Sequence, residues 1–343
     1  MAVKADAYGH GVQVIVQNAL EAGVDSVAVA TVEEGAELRE SGVEAPILLL
    51  GFTLEEELPD VVRYRLSPVV GAGYHLSLME AEAERQGCTV AVHLKVDTGM
   101  GRIGCMPEEA FELARRIAAS RRLELAGIGT HFPAADMADE EYQAFTAGQV
   151  DTLREIVSRL REAGIDPGLV HAANSGGVIG HSGSHFDLVR PGIILYGYYP
   201  STEQERSLDF RPVMGLETRI VFLKRVPADT GISYGLTYRT GEETTIATIP
   251  CGYGDGYSRL LSGKAQVLVN GELRPIAGRV CMDQTMVDLG PDSKAGLYDL
   301  VVLFGPDPGA PTAEELAAAI GTIPYEITCN INKRVPRVYV GQD

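Results

Sequence analysis

Lys4 closes a short apolar run, Ala2-Val3, and Tyr8 follows in a loop bounded by Gly9 and Gly11. A lysine at the end of an apolar strand can lose hydration, which lowers the pKa of its amine and makes it a nucleophile toward carbonyls. Alone, the pattern fits a solvated lysine near a chain terminus better. A second group lies in residues 90–97, where Val90, Val92, Leu94 and Val96 alternate with His93, Lys95 and Asp97. That period of two puts the polar residues on one face of a strand. If the face lines a closed interior, Lys95 and Asp97 should pair, because isolated buried charges are costly. His131, His171 and Arg190 each end a further apolar run.

Such residues need elements that bring strand ends together. Apolar runs at 2–4, 26–31, 46–51, 66–70, 89–97, 125–131, 169–173 and 186–190 read as strands. Amphipathic stretches at 32–41, 74–86, 108–119 and 139–163 read as helices, with a short one after Ser175. Gly42, Gly87 and Gly164 sit where helices should stop. An open doubly wound sheet would also alternate in this way. The count of strands favours an α/β fold of the (β/α)8 TIM type over residues 1–209, with its chemistry at the C-terminal strand ends. After Asp209 the texture changes, and residues 210–343 read as a mostly β domain. Its expected strands are 213–226, 244–250, 266–269, 280–289 and 300–304, with one helix over 313–320 opened by a Thr312–Glu315 capping box.

Composition removes several classes. With 29 Lys+Arg against 47 Asp+Glu the net charge is −18, which disfavours a nucleic-acid partner. No apolar run approaches the ~20 residues of a transmembrane helix, so no membrane role is expected. Five widely spaced cysteines and no secretory signal fit reduced thiols in the cytoplasm. Seven histidines without ligand spacing give no metal site. The run Gly252-Tyr253-Gly254-Asp255-Gly256 lacks the strand and helix context of a nucleotide loop.

The opening segment, Val3-Lys4-Ala5-Asp6-Ala7-Tyr8-Gly9-His10-Gly11, resembles the pyridoxal-phosphate lysine motif of the alanine racemases. The similarity runs on in order through Lys95-Val96-Asp97-Thr98-Gly99-Met100-Gly101-Arg102, Thr130-His131-Phe132, His171-Ala172-Ala173-Asn174-Ser175 and Arg190-Pro191-Gly192-Ile193. In the β domain it includes Ser233-Tyr234-Gly235, Gly252-Tyr253-Gly254-Asp255, Arg279-Val280-Cys281-Met282-Asp283, Tyr325-Glu326 and Arg334-Val335-Pro336-Arg337.

The resemblance implies pyridoxal 5'-phosphate (PLP) on Lys4, which also serves as one of two bases at the substrate Cα. Tyr234, contributed by the partner subunit of a homodimer, would be the base on the opposite face, assisted through His131 and Arg190. Arg190 would face the pyridine nitrogen, where a group that cannot accept a proton favours racemisation over other PLP chemistry. Tyr8, Asn174, Ser175, Gly192, Ile193 and Tyr325 would hold the cofactor. Arg102, the Met282 amide and Tyr253 would meet the substrate, a small amino acid such as alanine. Lys95 matches a lysine that the family often carbamylates. The family also carries a longer stretch, with a helix and a strand, ahead of this lysine. A racemase for another amino acid, a non-catalytic PLP carrier and a decarboxylase are the competing readings. The β domain opposes the carrier and Arg190 the decarboxylase. D-Alanine for peptidoglycan is the implied product.

Overall fold

The computed structural model describes residues 1–341. They form two compact units. The first comprises Met1–Ala7, Gly11–Leu195 and Tyr199–Asp209; the second comprises Tyr8–His10, Tyr196–Tyr198 and the described residues from Phe210 onward.

The first unit is a barrel. Strands β1 (Val27–Val29), β2 (Ile47–Leu49), β3 (Ser67–Val70), β4 (Val90–Lys95), β5 (Leu123–Gly129) and β6 (Leu169–His171) pair in parallel in sequence order. The two outermost expected strands are reduced to bridges. Ala2 pairs with Ala28, and Leu188 pairs with His171. The Ala2 N–H then donates to the Pro191 carbonyl at 2.9 Å, joining the first segment to the eighth and closing the ring.

Helices between the strands cover the outside with apolar stripes. In Glu140–Glu162, Val150, Leu153, Val157 and Leu160 are buried at alternating three- and four-residue spacing, so one face meets the barrel. Two further helices, Val12–Glu21 and Leu58–Arg63, add to those read from the sequence. The barrel interior is divided. Ala28, Leu48 and Val69 of β1–β3 form an apolar cluster with Leu50, Phe52 and Ile103 around it. The opposite wall carries the buried polar residues His93, Lys95, His171 and Arg190.

The second unit is built from antiparallel strands. One sheet orders Thr285–Asp288, Thr244–Ile249 and Phe222–Val226; another orders Glu272–Pro275, Gln266–Val269, Leu300–Phe304 and Leu216–Arg219. The expected single strand over 213–226 is therefore two strands in two sheets. At the break, Ile220 donates to Asp299 and Val221 donates to Thr248, so the backbone changes partner within two residues. Val226, Ile232, Ile246 and Ala277 form a core of this unit. The Thr312–Glu315 capping box opens the helix Ala313–Ile320 as the sequence predicts.

Candidate active site

A cavity of about 300 Å³ opens among Lys4, Lys95, Arg102, His131, His171 and Arg190. Each reaches it from the C-terminal end of a barrel segment, the face on which (β/α)8 barrels do chemistry. Val3 donates to the Ala28 carbonyl, which fixes the stub carrying Lys4 against β1.

Immediately after Lys4 the backbone turns left-handed. Ala5, Asp6 and Ala7 all have φ of 53°, and Tyr8 follows at 55°. Apart from achiral Gly, and Asn and Asp, residues rarely adopt this region, at a cost of roughly 1–2 kcal/mol each. The turn is tied by Ala7 N–H to the Val3 carbonyl at 2.8 Å and by Gly11 N–H to the Asp6 carbonyl at 3.0 Å. Asp6 Oδ1 also accepts from Val12 N–H, which opens the next helix.

Arg190 is buried and faces no carboxylate among the described residues. One terminal nitrogen, Nη1, donates to His171 Nδ1 at 2.5 Å. The other, Nη2, donates to the Thr130 and Ala172 carbonyls at 2.7 and 3.0 Å and lies 3.4 Å from His131 Nδ1. His171 Nε2 in turn meets His93 Nδ1 at 3.0 Å. A guanidinium offers only donors, so His171 Nδ1 accepts and its proton sits on Nε2. That Nε2–H donates to His93 Nδ1, which leaves the His93 proton on Nε2. Burial, and then the Arg190 charge, push His93 down to about 4 and His171 well below its ordinary value. Burial, then Arg190 and Arg102, hold His131 neutral in the same way. Burial also draws Arg190 down to about 10, where it remains a cation at neutral pH.

Two glycines of β5 make room for the histidines. A Cβ on Gly127 would stand 2.4 Å from His93 Nδ1, and one on Gly129 would stand 2.2 Å from the His171 ring. Gly-x-Gly in a strand puts both on one face, here the interior.

Lys95 is buried and donates to the Val96 carbonyl at 2.8 Å. Its expected ion pair with Asp97 does not form among the described residues. Asp97 spends its carboxylate on the N–H groups of Gly99, Gly101 and Arg102. Its partial burial raises its pKa, but these local amides together with the nearby Lys95 charge outweigh that and hold it low. The loop so closed carries Arg102 to the cavity rim. Burial, then Arg190, bring the Lys95 amine down to about 8.

Among the expected phosphate contacts, Ser175 Oγ accepts from the Gly192 N–H at 3.0 Å, and Ile193 follows buried in a 3-10 turn. Asn174 caps the helix Ser175–Gly180 by accepting from Gly177 N–H and donates to the Phe132 carbonyl. In the second unit the Tyr8 ring makes tilted contacts with Tyr196 and Tyr325, at 4.9 and 5.7 Å between ring centroids. Tyr234 is 72 % exposed on a turn whose neighbours Ser233 and Leu236 have φ of 67° and 50°. Ser233 Oγ anchors that turn on the Arg279 carbonyl at 2.7 Å. Tyr253 lies in a 3-10 turn and is exposed, as is Met282.

Sequence reasoning noted His93 and His171 but not their pairing. It missed Gln149, which reaches from Glu140–Glu162 to Thr98 Oγ1 at 3.0 Å and to the His131 carbonyl at 3.3 Å. The one signal available for the pairing was Gly127-Ile128-Gly129 between two histidine-bearing strands.

A closed parallel barrel whose mouth gathers two lysines, an arginine that faces no carboxylate among the described residues and neutral histidines, followed by an antiparallel β unit, defines a barrel enzyme with an appended β domain. The chain belongs to the alanine racemase family. Residues 1–200 match the model of the alanine racemase N-terminal domain, and residues 213–339 match that of the C-terminal domain. The alanine racemase of Treponema denticola is 44 % identical over 344 residues, covering 99 % of this chain and 90 % of the relative. That of Treponema pallidum is 45 % identical, covering 98 % and 92 %. Among solved structures, the alanine racemase of Streptomyces coelicolor A3(2) superposes with a TM-score of 0.93 at 39 % identity, covering 99 % and 91 %. The Bacillus anthracis enzyme with bound L-Ala-P gives 0.91 at 36 %, covering 99 % and 88 %. With these relatives the chain is an amino-acid racemase, an isomerase. Among the described residues no helix is long and apolar enough to cross a membrane.

Proposed function

We propose that this enzyme interconverts L-alanine and D-alanine with pyridoxal 5'-phosphate, by proton transfer at Cα between two bases. The observation that carries the reading is Arg190, held as a cation within the cavity that contains Lys4. The donor set fits the cofactor. Lys4 would hold its carbonyl carbon; Ser175 with the Gly192 and Ile193 amides would take its phosphate; Arg190 would face its ring nitrogen. When bound, the cofactor supplies a conjugated ring that takes up the electron pair released as Cα loses its proton.

This chain's residues decide where that proton goes. Lys4 Nζ moves it on one face of Cα. Tyr234 of a second copy of the chain serves the other face, a role that rests on the sequence resemblance. A phenol near its reference pKa of about 10 needs donors that stabilise its anion. His131, kept neutral with Nδ1 toward Arg190, presents Nε2–H for that purpose. Arg190 donates a hydrogen bond but can neither take nor readily release a proton. Beside the cofactor's ring nitrogen, Arg190 would leave that nitrogen without a proton, so the proton moved by Lys4 or Tyr234 would return to Cα. Arg102, which lines the cavity, would meet the substrate carboxylate. Tyr8, Tyr325, Tyr253 and the Met282 amide keep their assignments on the resemblance. The D-alanine formed would serve peptidoglycan synthesis in the cytoplasm.

Lys95 is proposed as a carbamate. An amine drawn down to about 8 is partly unprotonated at neutral pH and can add carbon dioxide with loss of one proton. The resulting anion would answer the Arg102 and Arg190 charges. Native mass spectrometry of the Lys95 peptide should show one added CO2, and an unmodified peptide would exclude it.

The test of function is direct. Purified protein should carry visible PLP absorbance that borohydride removes, and it should interconvert the alanine enantiomers. Lys4→Ala should abolish both. Absorbance without turnover would favour a PLP carrier, and a fully active Lys4→Ala variant would overturn the assignment.

A further inference from the structure

Glu34 sits on the helix Val32–Glu40, well separated from Lys4 in sequence, and has no part in the chemistry above. Its carboxylate nevertheless joins the two backbone segments that frame the Lys4 side of the cavity. Oε1 accepts from Ala5 N–H at 2.6 Å. Oε2 accepts from Ala30 N–H at 2.7 Å and from Thr31 N–H at 3.3 Å. Ala30 lines the cavity, and Ala5 is the first residue of the left-handed turn. Lys4 is thus fixed on both sides, by the Val3 ladder bond to Ala28 and by the Ala5 bond to Glu34.

The usual account of such a glutamate is a capping box. Glu34 does complete one, since its own N–H donates to Thr31 Oγ1. A box needs only the bond back to the Thr31 N–H. The bonds to Ala5 and Ala30 are shorter and lie outside it. Charge-assisted bonds from backbone N–H groups to a carboxylate are the strong ones, and here they hold a backbone conformation that L-residues resist.

We propose that Glu34 is a positioning residue for Lys4: by clamping the Ala5 and Ala30 amides on one carboxylate, it holds the left-handed turn that aims the lysine into the cavity. The proposal rests on Lys4 being the cofactor lysine. Gln at this position has one acceptor oxygen, and its NH2 would face a second N–H, so one half of the clamp must open.

The test compares three variants of the PLP-bound enzyme with wild type. Glu34→Gln should lower kcat by about tenfold or more with KM little changed, as small misplacements of a reacting group do. Its Ala5 amide should exchange hydrogen faster than in wild type. Thr31→Ala breaks the same capping box from its other half while leaving the clamp. It should lower Tm but keep kcat within about twofold and keep Ala5 protected. Adding Ala5→Gly to Glu34→Gln relaxes the left-handed residue and should recover part of the lost kcat. Wild-type kcat and Ala5 exchange in Glu34→Gln would overturn the proposal, as would an equal loss of kcat in Thr31→Ala. If wild type neither binds PLP nor racemises alanine, the functional reading falls. The Ala5 exchange rates of Glu34→Gln and Thr31→Ala would still decide whether Glu34 holds the turn.

Discussion

Arg190 donates one N–H to His171 Nδ1, and His171 donates its Nε2–H to His93 Nδ1, so one cation sets the tautomers of two histidines in the barrel interior. The consequence runs in both directions. The histidines give a buried guanidinium an acceptor that carries no charge, and burial, then the guanidinium, keeps them from becoming cations.

Removing the acceptor should expose the dependence. His171→Leu leaves an Arg190 N–H buried without a partner, a loss of roughly 1.5–3 kcal/mol. His171→Asn offers an amide oxygen near the same place and should recover part of it. Urea unfolding of the two variants measures the difference, and equal stabilities would mean that the bond contributes nothing.

Gly129 should tolerate no side chain. Its added Cβ would meet both the His171 ring and the His171 carbonyl, so Gly129→Ala is expected to cost at least the ~1–3 kcal/mol of an overpacked core. In a His171→Ala background the ring clash disappears while the carbonyl clash remains. The penalty should shrink without vanishing, and a double-mutant cycle from denaturation midpoints would read the coupling. Strict additivity would contradict the contact.

Stability should depend on pH through the neutral histidines. Their folded pKa values lie below the unfolded value of about 6.5, so at lower pH the unfolded chain binds protons that the fold refuses. Their contribution is complete above about 6.5. For His93 it drains away as pH falls toward about 4. Each such group steepens the curve by up to about 1.4 kcal/mol per pH unit. His93→Gln should flatten the wild-type slope between these limits in urea titrations run at successive pH values; parallel slopes would argue that His93 does not titrate.

Ala5→Gly alone should raise stability. Relief of a left-handed alanine is worth roughly 1–2 kcal/mol, against about 0.4–1 kcal/mol of extra unfolded-chain entropy. A small net gain in the urea midpoint is expected. A clear loss would show that the alanine side chain contributes more than its conformation costs.

Much of the barrel was legible because strand alternation and helix stripes are local. Residues 90–97 announced a strand with polar groups on one face, and β4 is that strand. The family motifs pointed to candidate site residues because each is a short contiguous stretch, and Lys4, Lys95, Arg102, His131 and Arg190 line one cavity. What escaped was set by partners distant in sequence. His93 and His171 lie 78 residues apart, and nothing in either segment signals that they touch. The expected Lys95–Asp97 pair failed for the opposite reason: three amides of the loop 97–102 reach Asp97 first. The turn after Lys4 was hidden as well. Alanine at positions 5 and 7 favours a right-handed helix, and only tertiary anchors such as Glu34 turn it the other way.

That turn has a stereochemical corollary. A D-residue has the mirror image of the conformational map of its L-counterpart, so the region that strains Ala5 and Ala7 is the one a D-alanine would choose. Semisynthesis with D-alanine at position 5 would leave the hydrogen-bond pattern of the turn unchanged and remove its local strain. The short stretch beside the lysine is built from L-residues on a backbone of the opposite hand.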